Sequence, residues 1–137
     1  FNKEIQKKVI QILTDDYILI GFSYKLFQIF SASTIINEIK KYKIESVVVI
    51  GGADDKISAQ AILRNYPSVD YVTWGEGEYP ILKLLQYLDG SISSNELVNF
   101  SYREGDKILV TKTNREYVDL NKIVPDYSDF FKVNNMD

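Results

Sequence analysis

Three short stretches carry the residue types that could hold a ligand: Phe22-Ser23-Tyr24, Gly51-Gly52-Ala53 and Trp74-Gly75-Glu76-Gly77-Glu78. What they offer is main chain, one hydroxyl, aromatic rings and two carboxylates. Glycine lets the backbone turn sharply and approach a bound molecule closely. The chain has no histidine and no cysteine, so the commonest general base, the imidazole metal ligand and the thiolate are all missing. Such a set suits holding a large, flat or extended molecule better than proton transfer, and no catalytic or metal-ligating residue is assigned. Glu76 and Glu78 precede a helical pattern, where carboxylates complement the helix dipole and oppose a phosphate at the same spot.

Each stretch also has a plain structural reading. Gly51-Gly52 serves as a tight strand exit, and Ser23 as the cap of the next helix. Glu76 and Glu78 serve as ordinary carboxylates of a first helical turn. Trp74, Tyr24, Phe27 and Phe30 serve as packing, with Trp74 also placed to stack on a ring. Lys40, Lys41 and Lys43 read as a solvated helix end. Asp126 and Asp129 lack the spacing of an oxygen-ligand metal site.

The elements that would position these stretches follow from periodicity. Phe1, Ile5, Val9, Ile12 and Leu13 form one stripe of an amphipathic helix. Tyr17 to Gly21 is a nearly unbroken apolar run, as in a parallel strand covered on both faces. A helix is predicted over Leu26 to Tyr42, or from a later start capped by Ser33 or Thr34. Ser46 to Ile50 is a β-branched strand, followed by a helix from about Ile57 to Asn65 that Asp54 or Asp55 caps and Tyr66-Pro67 stops. Val69 to Thr73 is a third strand, and Tyr79 to Leu88 a helix with Ile81, Leu84, Leu85 and Leu88 on its stripe, ended by Asp89-Gly90. Three strand–loop–helix units of this kind predict an α/β, Rossmann-like or flavodoxin-like parallel sheet with flanking helices. Its three loops emerge at one edge, where such sheets bind ligands. Beyond a polar linker at Ser91 to Asn95, Leu97 to Tyr102 and Lys107 to Thr111 alternate about Arg103-Glu104-Gly105-Asp106, a hairpin signal. Thr113 to Asp137 reads as an extended tail, with Phe130 and Phe131 needing a surface to dock on. Two parts are expected: 1–90, the α/β domain, and 91–137, hairpin and linker.

The 137 residues are 45% hydrophobic, enough for one compact domain with a real core. A net charge of −3 with both signs interspersed gives no footprint for nucleic acid or an anionic membrane. No apolar run approaches the roughly 18 residues of a membrane span, and a cytoplasmic setting is expected. The chain begins at Phe1 directly in a helical pattern and is read as a piece of something longer.

Val47-Val-Val-Ile-Gly-Gly52 followed by Val69-Asp-Tyr-Val-Thr-Trp-Gly-Glu-Gly-Glu78 resembles the cobalamin (B12)-binding domain of the B12-dependent radical S-adenosylmethionine (SAM) enzyme family. Ile20-Gly-Phe-Ser23 resembles that family's preceding strand and loop. Phe100-Ser-Tyr-Arg-Glu-Gly105, Val118-Asp-Leu120 and Pro125-Asp-Tyr-Ser-Asp-Phe130 are similar to the bridge into the radical core. The tail is most like that of enzymes maturing ribosomally made peptides.

The resemblance implies a cobalamin at the carboxyl edge of the sheet, with Ser23, Gly51, Gly52 and Gly75 to Glu78 matching its tail-binding loops. It implies methyl transfer, or another radical-based modification, of a peptide or small molecule. The 4Fe-4S cluster and S-adenosylmethionine would belong to a radical SAM core outside this chain, so the chain is not catalytic alone. The Asp-x-His-x-x-Gly signature of other cobalamin proteins is absent. The family carries a further strand and helix ahead of the unit at Tyr17; without them one sheet edge is open to pairing with another chain, as in an edge-strand dimer. Two further readings stay beside this one. One is a B12-less interaction or scaffold domain that docks the radical core or a peptide. The other is a flavodoxin-like binder of a nucleotide or flavin.

Overall fold

The computed structural model describes residues 3–15, 17–25 and 28–115. Phe27, Val118, Leu120, Asp126, Asp129, Phe130 and Phe131 lie outside them. The strands are β1 (Leu19–Ser23), β2 (Val47–Ala53), β3 (Tyr71–Trp74), β4 (Phe100–Glu104) and β5 (Lys107–Val110). The helices are α1 (Lys3–Thr14), α2 (Ile29–Tyr42), α3 (Lys56–Asn65) and α4 (Glu78–Leu88), with a short 3-10 turn at Ser94–Glu96. One sheet runs in the order β1-β2-β3-β4-β5. The first three strands are parallel, and β4 and β5 run antiparallel. The expected hairpin therefore exists, and β4 extends the same sheet from β3.

Alternation along β2 explains the two layers. Val48 and Ile50 face one side with Val72 and Trp74, beneath Ile29, Ala32 and Ile36 of α2 and Ala59, Ile62 and Leu63 of α3. Val49 faces the other side, where Leu84 of α4 packs with Leu97, Phe100 and Tyr102. Val9 of α1 closes onto Ile20 and Ile39 at the β1 edge. Val48, Ile36, Leu63 and Leu84 are each fully buried, worth about 2 kcal/mol apiece in apolar transfer. Asp55 caps α3, its Oδ1 accepting from the amides of Ile57 at 3.0 Å and Ser58 at 2.8 Å.

The sequence reading is off in several places. Tyr17 and Ile18 are 49% and 76% exposed; β1 instead begins at Leu19, because pairing with Val47 sets where the strand starts. Gly51-Gly52 does not end β2, nor Phe22-Ser23 follow β1: both lie within their strands. Ser33 and Thr34 do not cap α2 but lie inside it, their hydroxyls each donating to Phe30 O at 2.9 Å, a bond that satisfies a mid-helix Ser or Thr. Phe30 is 69% exposed, being off the stripe of Ile29, Ala32 and Ile36. Leu85 is likewise 46% exposed, and the inner face of α4 is Ile81, Leu84, Tyr87 and Leu88. Lys40 is no solvated helix end: its side chain is largely buried and its ammonium binds Asp70.

Candidate functional site

The carboxyl ends of β1, β2 and β3 converge, as parallel pairing requires. The register sets Ser23 beside Gly51 and Gly51 beside Thr73, one row across three strands. Gly21 beside Val49 forms the row below. Both rows belong to the α4 side of the sheet. Here they floor a groove of about 360 Å³, with Gly52, Gly75 and Gly77 on its rim and Ile81 of α4 as a wall. Among the described residues, no charged side chain lines it.

The floor is open at its two glycines. A Cβ on Gly51 would meet Thr73 Cγ2 at 3.6 Å, and one on Gly21 would meet Val49 Cγ1 at 3.9 Å. Both are ordinary contacts, so the neighbouring packing does not demand glycine at either position; any added side chain would rise from the floor. Gly52 is different. Gly51 pairs with Thr73, and Ala53, not Gly52, pairs with Trp74, so Gly52 is an extra residue in β2. Its φ is +98, and a Cβ there would lie 3.0 Å from Tyr24 O. The Tyr24 amide donates to Gly51 O at 2.6 Å, strapping the exit of β1 onto this irregular tip.

Thr73 is 1% exposed, and its hydroxyl has no hydrogen-bond partner among the described residues. A buried hydroxyl left unpaired costs about 1–3 kcal/mol, so an orphan on the groove floor marks a place where a guest could return that energy. Beneath it, Tyr71 stacks on Tyr102 with ring centroids 5.5 Å apart and meets Phe100 edge-on. Burial, with Tyr87 and Tyr102 nearby, pushes the Tyr71 phenol up to about 12, so it stays neutral beneath the floor.

The structure brings Phe22, Ser23, Gly51, Gly52, Gly75 and Gly77 to this one groove, although the Phe22 ring packs into the α2–α3 layer. It does not bring the rest of the predicted set. Ala53 and Trp74 are buried in the α2–α3 layer, and Tyr24 packs against it. Glu76 and Glu78 are exposed, with Glu78 opening α4. Sequence reasoning missed Gly21, Val49, Thr73 and Ile81. Strand alternation could have found the first three, two positions from Ser23, two from Gly51, and directly across from it. Among the described residues there is no cluster of metal-ligating side chains and no helix long and apolar enough to cross a membrane.

No family model matches the chain. The fold is that of a stretch of two solved enzymes. The cobalamin-dependent S-adenosylmethionine radical enzyme OxsB, solved with aqua-cobalamin and S-adenosylmethionine bound, matches over 88% of this chain with a TM-score of 0.73 and 23% identity. The radical S-adenosylmethionine methyltransferase TsrM from Kitasatospora setae, solved with cobalamin and a [4Fe-4S] cluster, matches over 90% with a TM-score of 0.69 and 14% identity. The chain spans 17% and 23% of those two chains. In sequence, 62 residues are 36% identical to cytidylyl-2-hydroxyethylphosphonate methyltransferase of Streptomyces wedmorensis, covering 45% of this chain and 11% of that protein.

Proposed function

We propose that the groove at the tips of β1, β2 and β3 receives the tail of a cobalamin, and that the chain is the cobalamin-carrying domain of a radical SAM enzyme. The observation that carries this reading is the open floor, Gly21 and Gly51 beside the small side chains of Ser23 and Thr73, on one face of three parallel strands. The likeness of fold to two enzymes solved with cobalamin supports it. A space of about 360 Å³ is at the small end of ligand pockets and suits one arm of a large guest.

In this reading Gly21 and Gly51 admit the guest to main-chain distance, and Ser23 and Thr73 supply hydroxyls. Gly52, Gly75 and Gly77 shape the rim, with Phe22 lining the groove through its strand. Tyr24, Ala53 and Trp74 support it from the opposite layer, and Glu76 and Glu78 remain outside, at the head of α4. When bound, cobalamin supplies a transferable methyl group. The absence of histidine means that these residues offer cobalt no imidazole. The iron–sulfur cluster and S-adenosylmethionine would be held by other sequence, since this one has no cysteine. Methyl transfer to a peptide or small molecule is the reaction we assign to the whole enzyme, supported by the methyltransferase similarity over 62 residues.

The test is retention of hydroxocobalamin through a desalting column. The expected result is a corrin spectrum travelling with the protein at near-equimolar ratio. A colourless protein overturns the reading, and retention of FMN in its place assigns the groove to a flavin.

A further inference from the structure

Asn99 has an unusual backbone conformation. It is the one non-glycine residue with positive φ among the described residues, at +56, and it is 7% exposed. Asparagine tolerates this conformation better than most side chains, because its short amide bonds locally. Here the amide does not bond locally. Asn99 Nδ2 donates to Asn114 O at 2.9 Å, and the Asn114 amide donates back to Asn99 Oδ1 at 2.6 Å. The main chain of Asn99 makes two more links. Its amide donates to Lys112 O at 3.0 Å, and its carbonyl accepts from the Trp74 amide at 3.2 Å. Trp74 is the last residue of β3, and Gly75 begins the groove rim. Asn99 Nδ2 lies 4.0 Å from where a Cβ on Gly75 would stand. One buried residue thus joins the root of the rim to residues 112–114, which lie beyond β5.

We propose that Asn99 is a positioning residue for the groove: it holds the rim at Gly75 to Gly77 and residues 112–114 as one mechanical unit, so that filling the groove is felt at Asn114. The link does not depend on what the guest is; only its ligand-bound consequence rests on the cobalamin reading. A purely structural role would make Asn99 matter to global stability and leave rim and segment independent.

The test uses the full chain and Asn99→Gly, which keeps the positive φ while deleting the clasp. Without ligand, the Trp74 amide keeps its main-chain acceptor, but it should exchange with solvent about tenfold faster, because the two side-chain bonds that steady that acceptor are gone. The 15N order parameters of Gly75 and Gly77 should fall together with that of Asn114. Asn99→Asp, which sets a buried carboxylate oxygen against Asn114 O in place of the donor, should loosen both ends at least as much as Asn99→Gly. On adding hydroxocobalamin, the Asn114 amide resonance should move in the wild type and stay in Asn99→Gly. Unchanged order at Gly75 and Gly77, with Asn114 alone loosened, overturns the proposal. If the ligand-free changes appear while the wild type binds no hydroxocobalamin, the coupling stands and the cobalamin reading falls.

Discussion

Lys40 of α2 and Asp70, at the start of β3, meet with Nζ and Oδ2 2.7 Å apart, at the end of the sheet opposite the groove. Lys40 also donates to Ser46 O at 2.7 Å and Ile44 O at 3.1 Å. The same Asp70 oxygen accepts from the Val48 amide at 2.8 Å. One ion pair therefore ties a helix end, the approach to β2 and the root of β3. The Lys40 side chain is 14% exposed and that of Asp70 34%, so screening weakens the pair without erasing it. We expect Lys40→Met and Asp70→Ala each to lower stability by about 1–3 kcal/mol, since charged hydrogen bonds are lost at a partly buried site. The two losses should be non-additive in urea unfolding. Losses near zero, as for a solvated surface pair, would show that the contact holds nothing.

Gly51 and Gly52 are neighbours that should fail in different ways. Gly52→Ala forces a side chain into φ +98 and against Tyr24 O at 3.0 Å; a thermal or urea melt should show a cost of about 1–3 kcal/mol. Gly51→Ala meets only Thr73 Cγ2 at 3.6 Å, so stability should stay within about 0.5 kcal/mol of wild type. Its methyl rises from the groove floor instead, and hydroxocobalamin affinity by titration should fall about tenfold or more, the effect of some 1.4 kcal/mol. Equal affinity in Gly51→Ala and wild type would place the guest elsewhere.

Alkaline pH should find Tyr71. Burial raises its phenol from 10.0 to about 12 in the folded chain. Between those values the unfolded chain has released the proton and the native one still holds it. The unfolded state thus binds fewer protons, and stability falls as pH rises through this window. Below it the contribution is fully present. Melting temperatures measured between about pH 9 and 11.5 should decline less steeply in Tyr71→Phe than in wild type. Parallel curves would mean that Tyr71 ionises as freely folded as unfolded.

The sequence was most legible where a pattern is local and repeated. The run Val47 to Ile50 and the stripe of Ile36 and Ile39 announced a strand and a helix, and three such units announced convergence at one edge. Strand ends were harder, because pairing sets them: Leu19 opposite Val47 starts β1 although Tyr17 and Ile18 look equally apolar. The floor of the groove was half visible. Gly51 and Ser23 stood out as residue types, but Gly21 and Thr73 become floor only once the cross-strand register is known. Lys40 was misread for the same reason: its partner Asp70 is thirty positions away, and no local pattern links them.

The extra residue at Gly52 sets the parity of the strand tip. Strict alternation would put Ala53 on the same side as Gly51, its methyl standing in the groove. The inserted position swaps the side, and Ala53 joins Ile50 and Trp74 in the α2–α3 layer. The bulge itself, held by a glycine at φ +98, therefore guards the opening. Deleting Gly52 would set Ala53 directly after Gly51, where plain alternation also turns it to the core, whereas ironing out the bulge at unchanged length would carry that methyl into the space reserved for the guest.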